Sequence, residues 1–244
     1  MNTLSVSAVN LANALARGIE DIDSAEVDVA VFPPAVYLQL AAKTLSSSNI
    51  AVGAQDVYFE HSGAFTGQTS CEMLKDVGCA YVLIGHSERR HVIGETDELI
   101  NKKLTAAIRG GLLPIFCVGE LLEERQANKT DAVVTEQIKK GLAGVNTEKA
   151  HAITIAYEPV WAIGTGQTAS PQQAQQVHRM IRQLIERMYD ADFAEKVRIQ
   201  YGGSVKPDNA AELINQPDID GFLVGGASLK ADDFVAIIKA TVKN

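Results

Sequence analysis

Seven short runs rich in valine and isoleucine recur along the chain, and longer stretches of helical period separate them. They fall at residues 27–32, 50–54, 81–85, 113–119, 153–157, 197–201 and 221–224. The runs are largely apolar at consecutive positions, so both faces of each strand are expected to be covered, as in a parallel sheet wrapped by helices. Between them, Leu4, Ala8, Leu11 and Leu15 repeat at helical spacing before Gly18. A second helical stretch ends at Gly110-Gly111, and a third opens on Ser170-Pro171, an N-cap followed by proline at the first helical position. Behind that cap Ala174, Val177, Ile181, Ile185 and Met188 make an apolar stripe, and Phe234, Ile237, Ile238 and Val242 make another near the C-terminus.

No linker, low-complexity tract or charge block interrupts this alternation, so residues 1–244 read as one parallel α/β domain. A closed barrel of such units normally has eight strands. The order here begins with a helix where a strand is due, so the expected fold is a (β/α)8 barrel whose first strand is missing from the 244 residues.

With 46% hydrophobic residues the chain can bury a large core. A net charge of −8 argues against nucleic acid and anionic membrane as partners. Cys71, Cys79 and Cys117 are odd in number and scattered, with neither metal-ligand spacing nor a disulfide framework. They suit a reducing, cytoplasmic setting. There is no basic leader with an apolar core behind it, and no apolar run long enough to span a membrane, so neither export nor a membrane partner is expected.

The chemistry-bearing residues sit where runs end, which is where parallel α/β folds place their sites. Glu158 follows the run at 153–157 and precedes Pro-Val-Trp-Ala-Ile-Gly-Thr-Gly. A carboxylate among apolar neighbours at a barrel mouth is a candidate base, because desolvation disfavours its charged form. The following residues, 160–166, have the composition of a rigid lid tip on glycine hinges. An ordinary loop with a surface glutamate fits the same composition. His86 opens the segment His-Ser-Glu-Arg-Arg after the run at 81–85. Near a helix start its imidazole is expected to be neutral and able to donate to a substrate oxygen. Taken alone, it reads first as a structural histidine, with Glu88, Arg89 and Arg90 pairing among themselves. The remaining histidines (His61, His91, His151 and His178) default to surface positions. Two glycine pairs close the sequence, in Tyr-Gly-Gly-Ser-Val from Tyr201 and Val-Gly-Gly-Ala-Ser from Val224. Glycine lets successive N–H groups approach an anion such as phosphate, although tight turns use the same pairs.

Taken together, Ile-Gly-His-Ser-Glu-Arg-Arg around His86, Ala-Tyr-Glu-Pro-Val-Trp-Ala-Ile-Gly-Thr-Gly from Ala156, Tyr-Gly-Gly-Ser-Val from Tyr201 and Leu-Val-Gly-Gly-Ala-Ser-Leu from Leu223 resemble the signature segments of the triosephosphate isomerase family. Gly-Ala-Phe-Thr-Gly from Gly63 and Cys-Val-Gly-Glu from Cys117 join them in the same order. The resemblance runs from Met1 essentially to the C-terminus.

It implies an isomerase that interconverts dihydroxyacetone phosphate and glyceraldehyde 3-phosphate in glycolysis and gluconeogenesis, without metal or organic cofactor. By resemblance Glu158 is the base, His86 the electrophile, and Gly164, Ser204, Gly225 and Gly226 the phosphate ligands. Residues 160–166 are the lid, and a homodimer is implied, with residues 61–68 reaching a partner subunit. The family's first strand ends in Asn-x-Lys, and its lysine pairs with the carboxylate at Glu88. Met1-Asn2 corresponds to the residues just after that lysine, so the strand and its lysine are expected upstream of Met1. Asp56 stands where the family usually has asparagine, and Gln68 where it has an acid. The rival reading is a non-catalytic relative without the lysine. A Schiff-base aldolase fits less well, because Glu158 occupies the strand end where that chemistry needs a lysine nucleophile.

Overall fold

The computed structural model describes residues 1–146, 153–163 and 168–242. The elements alternate in chain order. Helix α1 (Ser5–Gly18) comes first, then β1 (Val29–Val31), α2 (Leu38–Leu45), β2 (Ile50–Ala54), α3 (Cys71–Asp76) and β3 (Tyr81–Ile84). Next are α4 (Ser87–His91), α5 (Asp97–Arg109), β4 (Leu113–Val118), α6 (Leu122–Gln126), α7 (Thr130–Gly141) and β5 (Thr154–Tyr157). The chain continues through α8 (Pro171–Met188), α9 (Ala191–Lys196), β6 (Arg198–Tyr201), α10 (Ala210–Ile214), β7 (Gly221–Phe222) and α11 (Ala231–Thr241).

All seven expected runs are strands, and they form one parallel sheet in the order β1-β2-β3-β4-β5-β6-β7. Each strand therefore lies beside its sequence neighbour, with a helical crossover between, as right-handed βαβ units require. The interior strands keep close to their expected lengths. The outermost are shorter: β1 holds residues 29–31 of 27–32, and β7 holds 221–222 of 221–224. A strand with one neighbour has one ladder of hydrogen bonds to define it, and its ends fray first. Among the described residues the outer edges of β1 and β7 pair with no further strand.

Two apolar layers hold the sheet. The larger lies between sheet and helices and gathers Val82, Ile84, Phe116, Val118, Ile155, Tyr157, Ile199 and Tyr201 against the helix faces. The smaller, Leu83, Ile115, Cys117 and Ala156, lies on the opposite face, with Phe32, Tyr81 and Leu223 packed on it. The alternation of the two sets along β3, β4 and β5 is the period-2 geometry of a strand, expressed in residues that are apolar on both sides.

Helix α8 shows how the wrapping layer is specified. Ser170 accepts the N–H of Gln173, and the Gln173 side chain accepts the N–H of Ser170, a reciprocal cap, with Pro171 at the first helical position. Its buried face is Ala174, Val177, His178, Ile181, Leu184 and Ile185, at three- and four-residue steps. Each buried Leu or Ile contributes about 1.5–3 kcal/mol relative to exposure. His178 on this stripe corrects its assignment to the surface. It is fully buried, with Nδ1 3.0 Å from the carbonyl oxygen of Asp218. His61 and His91 are exposed as expected, and His151 lies outside the described residues. Among the described residues no helix is long and apolar enough to cross a membrane.

Candidate active site

His86 and Glu158 come together although 71 residues separate Ser87 from Glu158 in sequence. Strand β3 ends at Ile84, and Gly85 turns the chain with φ +73°, a left-handed conformation that favours glycine. His86 follows as the N-cap of α4, with Nδ1 accepting the N–H of Glu88 at 3.3 Å. That bond leaves the ring proton on Nε2, which lies 2.9 Å from Glu158 Oε1. The other Glu158 oxygen, Oε2, accepts the Ser87 N–H at 2.9 Å, the first N–H of the same helix.

Glu158 is seated by the strand ends around it. Its own N–H donates to Val118 O at 2.8 Å, continuing the β4–β5 ladder one residue past Tyr157. A Cβ added at Gly119 would stand 1.7 Å from the Glu158 carbonyl oxygen, so only glycine allows this approach. Gln137 pins that glycine: Gly119 N–H donates to Oε1 at 2.8 Å, and Nε2 donates back to Gly119 O at 3.0 Å. The outcome is a carboxylate only 2% exposed.

Two opposed effects act on the His86 imidazole. Burial by itself lowers its pKa. The hydrogen bond and charge of Glu158, followed by the charge of Glu88, outweigh burial and raise it above the ordinary imidazole value. The helix start is outweighed because the carboxylate is in contact with the ring, whereas α4 has only five residues to contribute a dipole. The arginines also pair differently from the expected mutual cluster. Arg89 binds Asp56 and Glu95, while Arg90 binds Asp97, Gly85 O and Cys117 O.

The segment expected to be a lid, residues 160–166, is described through Ile163. Residues 160–162 form a turn of 3-10 helix, in which Val160 N–H donates to Glu120 O at 3.1 Å. The Trp161 indole N–H donates to Glu120 Oε1 at 2.9 Å, and the Tyr157 hydroxyl lies 3.1 Å from both Glu120 oxygens. Glu120 is fully buried, so it ties Val160 and Trp161 to the end of β5. Sequence reading passed over Glu120, which carried only a family motif there. The signal was a charged residue directly after an apolar strand and its glycine. Gly164, with Thr165 and Gly166, lies outside the described residues.

The two glycine pairs have different surroundings. At Gly202 a Cβ would meet Glu158 Cγ at 2.9 Å, and at Gly203 the Tyr201 hydroxyl at 2.2 Å, so packing alone requires this first pair. Around Gly225 and Gly226 nothing lies within 4 Å of an added Cβ, and both are exposed. Ser204 is half-buried beside the first pair. All four positions line one groove of about 2190 Å³, together with His86 and Glu158. The groove exceeds the usual few hundred to a thousand Å³ of a small-ligand pocket because it runs on between β1 and β7, past Leu11, Leu15 and Ile237.

Comparison with known proteins agrees with the arrangement. The family model for triosephosphate isomerase matches residues 1–241. A triosephosphate isomerase of Carboxydothermus hydrogenoformans is 56% identical over 237 residues, which is 97% of this chain and 94% of that protein. One from Rhodopirellula baltica is 54% identical over 229 residues, 93% of this chain and 90% of the relative. One from Alkaliphilus oremlandii is 50% identical over 238 residues, 98% and 95% of the two chains. With a buried carboxylate, an imidazole and two glycine-rich strand ends facing one groove, and a family match over nearly every residue, the chain belongs to the triosephosphate isomerase family.

Proposed function

We propose that the chain interconverts dihydroxyacetone phosphate and D-glyceraldehyde 3-phosphate, serving glycolysis and gluconeogenesis from the cytoplasm as a homodimer. The observation that carries the reading is the 2.9 Å contact between His86 Nε2 and Glu158 Oε1 at the mouth of the groove. The reaction moves one proton between adjacent carbons while charge develops on the two substrate oxygens. Glu158 removes the proton from one carbon and returns it to the other. The Nε2–H of His86 donates to the oxygens of the enediolate, where a preorganised donor acts best. Once substrate lies between the two side chains, the contact that raises the imidazole pKa is gone, and the neutral ring becomes the donor. Ser204, Gly225 and Gly226, with Gly164, hold the phosphate through N–H groups. Residues 160–166 close over it and exclude water.

A second reading, a non-catalytic relative, has one observation in its favour. The Glu88 side chain is 77% exposed, and the only ionic partner it has among the described residues is His86, 4.0 Å away. The test is a coupled assay of triose phosphate interconversion on the purified 244-residue chain and its Glu158→Gln variant. The proposal expects measurable turnover that drops about 10²–10⁴-fold in the variant. Two folded proteins that are equally inactive would favour the non-catalytic reading.

A further inference from the structure

Behind the turn that carries His86 lies a closed cluster of four charges. Lys103, on α5, is only 2% exposed and donates to Asp56 Oδ1 at 2.7 Å and to Glu95 Oε1. Arg89, on α4, donates from Nη2 to Asp56 Oδ2 at 2.8 Å, and from Nε and Nη2 to Glu95 Oε1 at 2.7 Å each. Each carboxylate thus bridges the same two cations, and the cluster is neutral. Its members come from the end of β2, from α4, from the loop after α4 and from α5, so it links four segments at one point.

Helix α4 has five residues, too few to be stable alone. Its geometry is therefore imposed by what its side chains grip. Arg90 ties it to the ends of β3 and β4 through Gly85 O and Cys117 O. Arg89 ties it to Asp56 and Glu95, and the N–H groups of Arg89 and Arg90 both donate to His86 O, at 2.8 and 3.0 Å. Without the Lys103 ammonium, buried Glu95 and half-buried Asp56 would face one guanidinium. One of them would then have to take up a proton or turn away, and Arg89 would lose the fork that fixes α4. Burial already raises the Asp56 pKa in spite of both cations, so Asp56 is the member that yields first.

We propose that Lys103 is a positioning residue for His86: its buried ammonium holds Asp56 and Glu95 in the geometry that fixes Arg89, and through Arg89 the turn that aims the imidazole at Glu158. The inference rests on the proposed isomerase reading for its kinetic consequence and on geometry alone for its spectroscopic one.

The experiment compares the whole chain with Lys103→Met, Lys103→Arg and Lys103→Met/Asp56→Asn, the last of which keeps the cluster neutral. Turnover and KM are measured on triose phosphate, and the His86 ring resonances are followed by NMR. The expectation is a fall of about tenfold in kcat for Lys103→Met with KM within about twofold. The His86 resonances should shift in the same variant, and Lys103→Arg should recover most of the loss. If Lys103→Met does not fold, the double variant carries the test, and displaced His86 resonances are expected there too. A folded Lys103→Met or double variant with wild-type His86 resonances would overturn the proposal and reduce the cluster to a stability element. If the wild-type chain shows no turnover, the isomerase reading fails, and the resonances still decide whether Lys103 positions His86.

Discussion

The backbone N–H of Ser87 holds Glu158 Oε2 at 2.9 Å, so the first peptide group of α4 anchors the proposed base in the absence of substrate. Ser87 is the first helical residue, where proline is tolerated, and the residue before it has φ −51° and ψ 145°, which a following proline accepts. Ser87→Pro therefore removes the donor, and its Cδ, standing where the N–H proton was, also pushes the Glu158 carboxylate from its seat. A hydrogen bond to a charged group contributes about 1.5–3 kcal/mol, and the variant is expected to lose at least that much unfolding free energy in urea. Ser87→Ala keeps the N–H and should lose clearly less. Equal losses in the two variants would argue against the anchor.

Gly119→Ala should damage the site without touching a functional side chain. The new methyl would overlap the carbonyl of Glu158, which is backbone and cannot rotate away, so β4 and β5 must separate at their ends. Overpacking of this kind costs about 1–3 kcal/mol. Displacing the base by a fraction of an ångström is expected to lower kcat at least tenfold. Retention of wild-type kcat by a folded Gly119→Ala protein would show that the seat of Glu158 is more tolerant than its geometry implies.

The elements that could be read from the sequence were those in which local pattern and tertiary role coincide. Strand positions, the caps of α8, and His86 and Glu158 at strand ends all follow from apolar runs and the residues that stop them. What escaped was long-range pairing. Nothing near His178 in sequence says that Asp218 O will meet its ring, and nothing near Arg89 names Asp56 as its partner. Glu120 escaped for the same reason, since its partners Tyr157 and Trp161 lie 37 and 41 residues away. The upward pull on the His86 pKa rests on a contact of the same kind: a helix start is visible in sequence, whereas a carboxylate folded against the ring is not.

His178 should leave a pH signature in stability. Burial lowers its pKa from 6.5 to about 4. The unfolded chain therefore takes up a proton near pH 6.5 that the folded chain refuses until near pH 4. The stabilising contribution is complete above pH 6.5 and declines as pH falls toward 4, by about 3 kcal/mol in all. His178→Phe, which cannot titrate, should be less stable at pH 7 for want of the bond to Asp218 O, yet should show a flatter decline across that window. Parallel pH profiles for the two proteins would remove His178 as the source.

Glu120 can be tested through the chain's one tryptophan. Glu120→Ala leaves the Trp161 N–H and the Tyr157 hydroxyl without their buried acceptor. Losing these hydrogen bonds to a charged group is expected to cost about 3 kcal/mol. The Trp161 emission should shift to the red as its ring leaves the buried carboxylate. Unchanged emission together with unchanged stability would mean that residues 160–162 are held by packing.

The strand order also divides the labour of the site by rigidity. His86 and Glu158 follow β3 and β5, and both strands carry ladders on two sides. Gly225 and Gly226 follow β7, which among the described residues has a single neighbour and two paired residues. Local opening costs least where backbone bonds are fewest and solvent is nearest. Amide exchange would accordingly be slowest at His86 and Glu158, the pair proposed to move the proton, and fastest at the glycines proposed to face the phosphate. On that proposal, the centre that needs sub-ångström constancy occupies the slow-opening middle of the sheet, and the groups that admit and release a ligand occupy its quick-opening margin.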